Sequence, residues 1–506
     1  SKAKTAAEGV AAARDAGGAA EGLVASLRKD LEDGPIFVVW LLDASISLLE
    51  DRQTLARSLE PFYAANAPRG AGDAPLRSAV VAYGQGFQVV QPATASRQQT
   101  LKAIRDMPID QTGTENLMTA IEFSVGHFRA AARGRMRLVV WTDESGDDSA
   151  LLEPVIRLCK QSRVQVHVIG PSSVLGSDRG LQSYTDKSTG YNFLLPVVRG
   201  PDSAVPERLM LPYWFDMSAD AGVYDGSMVA DGMPWYGGAL RERLLSGLGP
   251  YSLTRLALET GGAFTMLERP GDRNPFELTR MKGYFPTYAS VDETVAEIRR
   301  SPFRQAVFTA VQKTYEPVNL APPRMRFFTE REAVYPFREY SVAYMKPAQF
   351  RRLLETRLNE QAAFIGKAAQ VVEAALASFS DRDWDAAYAA EPARWQAWYD
   401  ITRGRLLLMS VRYREYLATC QLIARQDGLN PMTNEIQLIA GPQRLSEDSV
   451  IKQRVDEGTA LLKRCQENHP GTPWALLAEW ELENELGVNV IQTANPPPRP
   501  IAGVMP

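Results

Sequence analysis

Cysteine and histidine are scarce, with only three of each in 506 residues. Cys159, Cys420 and Cys465 are odd in number and far apart, which argues against a disulfide framework and against a thiolate metal site. With only His127, His167 and His469, a His-rich zinc centre is not expected either. Cys159 and His167 fall on apolar-periodic segments, where the expected role is burial. An excess of one charge is also missing. The 56 Lys and Arg against 60 Asp and Glu leave a formal net charge of −4, too balanced for the basic footprint that nucleic acid or an acidic membrane selects. No uninterrupted run of 18 apolar residues occurs, so no transmembrane segment is expected. The pattern GxxxxGK[ST] is absent, which removes nucleotide hydrolysis by a P-loop. No nucleophile sits beside a base, because His127 and His167 lie in helix and strand patterns rather than in loops. The chain is therefore not expected to be an enzyme.

What is present is ordinary globular material, 45% apolar and 23% charged, in a chain long enough for two or three cores. Residues 1–33, rich in Ala, Gly and Lys, read as a flexible or helical segment. Residues 34–270 alternate short β-rich runs with helical patterns, the signature of a doubly wound, mostly parallel α/β sheet. The strand candidates are 36–42, 77–84, 137–142, 164–170 and 263–267, with 87–91 folding back as an antiparallel edge. The stretch 171–248 breaks this rhythm and reads as an insertion. Its aromatics, in LPYWFDM (211–217) and GMPWYGG (232–238), would be either a binding surface or a plug against the parent domain. Residues 271–346 read as a connecting region, 347–490 as an all-α helical domain, and 491–506 as a Pro-rich extended tail. A chain that opens on Ser rather than Met is expected to be a processed or truncated form, with an exported, periplasmic or envelope-associated location favoured over the cytoplasm.

The chemistry gathers around LLDASISLLE (41–50). A strand too apolar to face water ends in Asp43, Ser45 and Ser47, and in open α/β sheets ligands collect where strands end at their carboxyl termini. Asp143 closes RLVVWTD in the same way, and the loop DQTGTENL (110–117) precedes a helix on the same rim. Hydroxyls and carboxylates without nitrogen or sulfur suit Mg2+, Mn2+ or Ca2+. Each residue also has a plainer reading. Ser47-Leu-Leu-Glu50 has the spacing of a capping box, and Asp143-Glu144 before Ser-Gly could be turn residues. The ordered set favours the metal site, since unrelated turns need not place all these oxygens on one rim.

Asp43-x-Ser45-x-Ser47, a Thr about 70 positions on and Asp143 some 30 further resemble the metal-ion-dependent adhesion site of von Willebrand factor A domains. The order VVWTDESGDD (139–148) is similar to bacterial members. The resemblance implies that Ser45, Ser47 and Thr114 give hydroxyls to the cation, while Asp43 and Asp143 act mostly through water. It further implies a protein partner bound through an Asp or Glu carboxylate, in adhesion or assembly, with self-assembly as one form. TGTENLMTAI (112–121) is one residue longer than the family's usual loop, so Thr112 and Glu115 stand beside Thr114 as alternatives. A metal-assisted hydrolase, with Glu115, Glu144, Asp147 or Asp148 as base, and a purely structural envelope subunit are the competing readings.

Overall fold

The computed structural model describes residues 3–67, 74–132, 134–176, 179–185, 190, 192–211, 244–267, 275–315, 323–327, 346–380, 383–425 and 428–494. The GMPWYGG stretch, most of LPYWFDM and the tail from 495 lie outside them.

Among the described residues of the first half nine strands form: β1 (Val10–Ala13), β2 (Ile36–Asp43), β3 (Leu76–Tyr83), β4 (Phe87–Thr94), β5 (Arg135–Trp141), β6 (Gln165–Gly170), β7 (Arg179–Thr185), β8 (Asn192–Val198) and β9 (Ala263–Leu267). Seven make one sheet in the order β1-β9-β6-β5-β2-β3-β4. All neighbours in it are parallel except β3 and β4. Central β2 is buried along its whole length, as a strand covered on both faces must be. Alternate residues feed two cores: Phe37, Val39 and Leu41 pack with the Leu117–Phe128 and Leu152–Gln161 helices, while Val38, Trp40 and Leu42 pack with Ala16–Glu32 and Leu49–Ala65.

The sheet reaches further back than the sequence suggested. β1 is its edge strand, paired with β9 from Val10↔Phe264 to Ala13↔Leu267, and Ala19, Ala20, Leu23, Val24 and Leu27 of the following helix are buried. Small residues pack closely there without giving a strong apolar period, so the signal was weak.

The second half is mainly helical, led by Pro347–Leu376, Ala393–Ala424, Ser449–Asn468 and Pro473–Glu483. Three features differ from expectation. β10 (Arg326–Phe327), β11 (Glu435–Gly441) and β12 (Gly487–Thr493) form an antiparallel sheet against the helices, so the region is not all-α. The connecting region supplies core, since Phe303, Val307, Ala310 and Val311 of the Pro302–Tyr315 helix are buried in the helical cluster. Finally, Pro347–Phe379 is long and apolar enough by length and composition to cross a bilayer. Lys367 and Glu373 interrupt its apolar run, which is why counting unbroken runs missed it. One face of it, Phe350, Leu354, Leu358, Ile365, Ala368, Val372 and Ala375, packs into the helical cluster.

The described ends of the insertion join that helical cluster through Leu175, Val205, Leu209, Leu211, Leu244 and Leu248. A buried ion cluster fixes the joint. Arg394 Nη2 donates to Asp202 Oδ2 at 2.7 Å and to Glu207 Oε2, and its Nη1 donates to the Tyr284 carbonyl at 3.2 Å. All three charged side chains are almost wholly buried.

Candidate metal centre

β2 and β5 are parallel neighbours in register from Ile36↔Arg135 to Leu42↔Trp141, so Asp43, the last residue of β2, and Asp143, two residues past β5, emerge side by side on the carboxyl rim. Both are buried, at 1% and 2% exposure. Asp43 Oδ1 accepts the Ser45 amide at 2.7 Å, turning the chain tightly as it leaves the sheet. That turn places the Ser45 and Ser47 hydroxyls 2.9 Å apart, and Ser47 Oγ donates to Asp143 Oδ2 at 2.7 Å. Ser47 is therefore not spent on capping. The Leu49–Ala65 helix starts from Leu48 without a side-chain cap.

The loop 110–116 closes the site from the side. Asp110 pairs with Ser45 in an isolated bridge and its amide donates to the Ala44 carbonyl at 3.0 Å. Its Oδ1 accepts the Thr112 amide and hydroxyl at 2.7 and 2.6 Å, so the exposed Thr112 hydroxyl is turned toward Asp110. Thr114 is half-buried, with its amide 3.4 Å from Thr112 Oγ1. Glu115 points inward, is 5% exposed, and lies with Asp43 and Asp143 such that one oxygen of each falls within 4.8 Å of the others. Glu115 Oε2 has no hydrogen-bond partner. A buried carboxylate oxygen without a donor is costly, and an all-oxygen set with such an orphan fits a hard divalent cation. The described residues thus bring Asp43, Ser45, Ser47, Asp143 and Glu115 to one place.

Asp147 and Asp148 hold this arrangement. Asp147 Oδ2 accepts the Glu115 amide at 2.8 Å, and its own amide donates back to the Glu115 carbonyl at 2.8 Å. Asp148 accepts the Met118 and Thr119 amides at 2.9 and 2.7 Å, capping the Leu117–Phe128 helix from 30 residues away. Gly146, at φ +84°, lies where a Cβ would press on Leu117 Cβ at 3.0 Å and the Glu115 carbonyl at 3.2 Å. Of the four carboxylates considered as hydrolytic bases, Asp147 and Asp148 are therefore engaged in building the loop.

Electrostatics follow from crowding. Burial, then the charge of Asp143, raises the Asp43 carboxyl to about 7. Burial together with Asp43 and Asp143 raises Glu115 well above the usual range. Burial raises Glu144 to about 8, with Asp143 adding to it. A positive group answers them: buried Arg52 donates from Nη1 to the Asp43 carbonyl at 2.9 Å. Sequence reasoning missed Arg52, although a cation two residues after the Ser47-Leu-Leu-Glu50 stretch on an otherwise apolar-facing helix was a usable signal. Glu144 and Ser145 also tie the rim to the insertion. The Val198 amide donates to Glu144 Oε2 at 2.8 Å, and Ser145 N and Oγ donate to the Val198 carbonyl at 2.7 and 3.0 Å.

Comparison with known proteins gives a family for part of the chain. Residues 38–195 match the family model of the von Willebrand factor type A domain. Among solved structures, BatB from Bacteroides thetaiotaomicron is 10% identical over 53% of this chain and 100% of its own, at a TM-score of 0.29. Proximal thread matrix protein 1 from the mussel byssus, with a zinc-occupied MIDAS motif, is 18% identical over 28% of this chain and 39% of its own, at 0.24. The manganese-loaded Plasmodium vivax TRAP protein is 17% identical over 27% and 57%, at 0.23. This chain therefore spans well under two thirds of the byssus and TRAP chains. No curated protein matches. Residues 38–195 are thus a von Willebrand factor type A domain, whose sheet is extended beyond those bounds by β1 and β9.

Proposed function

We propose that this chain is a divalent-cation-dependent protein-binding module, in which a helical second domain is fixed to the adhesion-site domain through the insertion. The observation that carries this reading is the convergence of Asp43, Asp143 and Glu115 with the linked Ser45 and Ser47 hydroxyls. These five side chains would hold Mg2+, Mn2+ or Ca2+, and a bound cation would supply an electrophilic position for an Asp or Glu of a partner protein. Ser45 and Ser47 are only half-buried, so the hydroxyl side of the cluster is the side open to a partner.

Glu115 sharpens the charge balance. Three ionised carboxylates against one divalent cation leave an excess of one negative charge, which would repel an incoming carboxylate. Arg52, hydrogen-bonded to the Asp43 backbone, offsets that excess. Its role in this reading is to keep the loaded site near neutral.

The helical domain would provide a second contact surface, suiting an adaptor or assembly component. Pulldown from the native source in Mg2+, in EDTA and with Asp43→Ala tests the reading. Partners retained in Mg2+ and lost in both other conditions are expected. Partners that persist in EDTA would mean that binding runs through another surface.

A further inference from the structure

The three buried acids of the cluster are not held alike. Asp43 Oδ1 accepts the Ser45 amide at 2.7 Å and its Oδ2 the Thr142 hydroxyl at 3.3 Å. Asp143 Oδ2 accepts the Ser47 hydroxyl at 2.7 Å. Among the described residues no amide or hydroxyl holds the Glu115 carboxylate in this way, although the residue is only 5% exposed and its Oε2 has no hydrogen-bond partner.

What is fixed in Glu115 is its backbone. The amide donates to Asp147 Oδ2 and the carbonyl accepts the Asp147 amide, both at 2.8 Å. The next residue, Asn116, donates from its amide to the Gly84 carbonyl at 2.9 Å and from its side chain to the Gln85 carbonyl at 2.7 Å. The loop is thus anchored on both sides of the acid, and only rotation about the side chain's own bonds can carry the carboxylate away. Glu has one more such bond than Asp.

Asp43 and Asp143 alone match the charge of a divalent cation. Glu115 adds a third carboxylate, with one oxygen of each acid within 4.8 Å of the others, and an incoming acid would be the fourth. Like charges at that spacing repel strongly where water is excluded, and a hard cation has a limited number of oxygen positions. The Glu115 carboxylate and an outside carboxylate therefore compete for the same charge.

We propose that Glu115 is an internal competitor at this site: its carboxylate serves the cation while no partner is present and rotates out before a partner's acid binds. The inference rests on the metal-dependent reading above and adds its regulation. The resting chain blocks itself, which lowers its affinity for isolated carboxylates and reserves binding for partners with enough further contacts to expel the side chain. A Glu115 variant then moves two affinities in opposite directions, holding the cation more weakly and an outside acid more tightly. A residue that only completed the ligand set would move both downward.

The test uses the full chain loaded with Mn2+, acetate as the probe and water-proton relaxation as the readout, since the paramagnetic ion reports the exchanging waters bound to it. Glu115→Ala should give a larger relaxation enhancement per bound Mn2+ than the parent, because water takes the vacated position. Acetate should quench that enhancement at a concentration lower by about tenfold or more. Glu115→Gln, which keeps the size of the side chain, repeats the comparison if the Ala variant does not load. Equal enhancement, or an acetate midpoint that is unchanged or higher in the variants, would overturn the inference and leave metal-dependent binding standing, as would loss of Mn2+ uptake in both variants while the parent loads. A parent that takes up no Mn2+ would overturn both.

Discussion

In metal-free protein at pH 8, Asp43 is a buried carboxylate beside a second one, and it is there against its own preference. Its carboxyl titrates at about 7 rather than at 3.8 because burial removes its hydration and Asp143 adds repulsion. Between those two values the folded chain keeps a proton that the unfolded chain has released. Stability without cation is therefore undiminished below pH 3.8, declines as the pH rises toward 7 and levels off above it. From 3.8 to about 7, at about 1.36 kcal/mol per pH unit, the cost is roughly 4 kcal/mol. Asp43→Asn removes the charge while keeping an oxygen that can accept the Ser45 amide, the 2.7 Å bond that shapes the turn. In EDTA at pH 8 the Asn variant should be more stable than the parent by up to about 4 kcal/mol, and at pH 5 by less than half of that. Adding Mg2+ or Mn2+ should stabilise the parent and leave the variant unchanged. Because the chain has more than one core, hydrogen exchange at peptides covering β2 and β5 reports on this domain specifically. Equal protection of parent and variant at pH 8 in EDTA, or an Asn variant that responds to cation as the parent does, would refute the reasoning.

Further outcomes follow from the same geometry. Glu115→Gln should weaken cation uptake, since a carboxylate charge about 5 Å from a divalent ion at an effective dielectric of about 20 is attracted by roughly 7 kcal/mol, offset in part by the cost of ionising a buried acid that its neighbours hold well above the usual range; calorimetry should show a loss of at least tenfold, and an unchanged affinity would remove Glu115 from the ligand set. Cation affinity should fall as the pH is lowered from 8 to 6, because Asp43 takes up a proton near 7 that the cation must displace; titrations in two buffers of different ionisation enthalpy would reveal the released proton. Ser47→Ala takes a donor from the buried Asp143 Oδ2 and should cost on the order of 1–2 kcal/mol of stability without cation, and lower cation affinity by about tenfold. Arg394→Ala would strand Asp202 and Glu207 in the buried joint and should destabilise the chain by about 3–5 kcal/mol, read as early loss of exchange protection at Leu175, Val205 and the Ala393–Ala424 helix.

The sheet was legible in the sequence because buried parallel strands are continuous apolar runs, and IFVVWLL and RLVVW have little else they can be. Asp43, Ser45, Ser47 and Asp143 stood out for a related reason, as polar residues placed where such runs stop. β1 was hidden because Val10-Ala-Ala-Ala is held by pairing with β9 and not by its own propensity. β11 and β12 are short and half-buried, and gain stability from each other across more than 40 residues of chain. The loop 110–116 could not be resolved by spacing alone. Whether Thr112, Thr114 or Glu115 turns inward depends on Asp110 holding Thr112 and Asp147 holding the Glu115 backbone, contacts that exist only once distant segments meet.

Titration calorimetry of Mg2+, Mn2+ and Ca2+ into the folded full-length chain at pH 7.5, beside Asp43→Ala, reaches the central claim most directly. Uptake of one equivalent of at least one cation by the parent, abolished in the variant, is the predicted result. A folded parent that takes up none of the three would contradict the account.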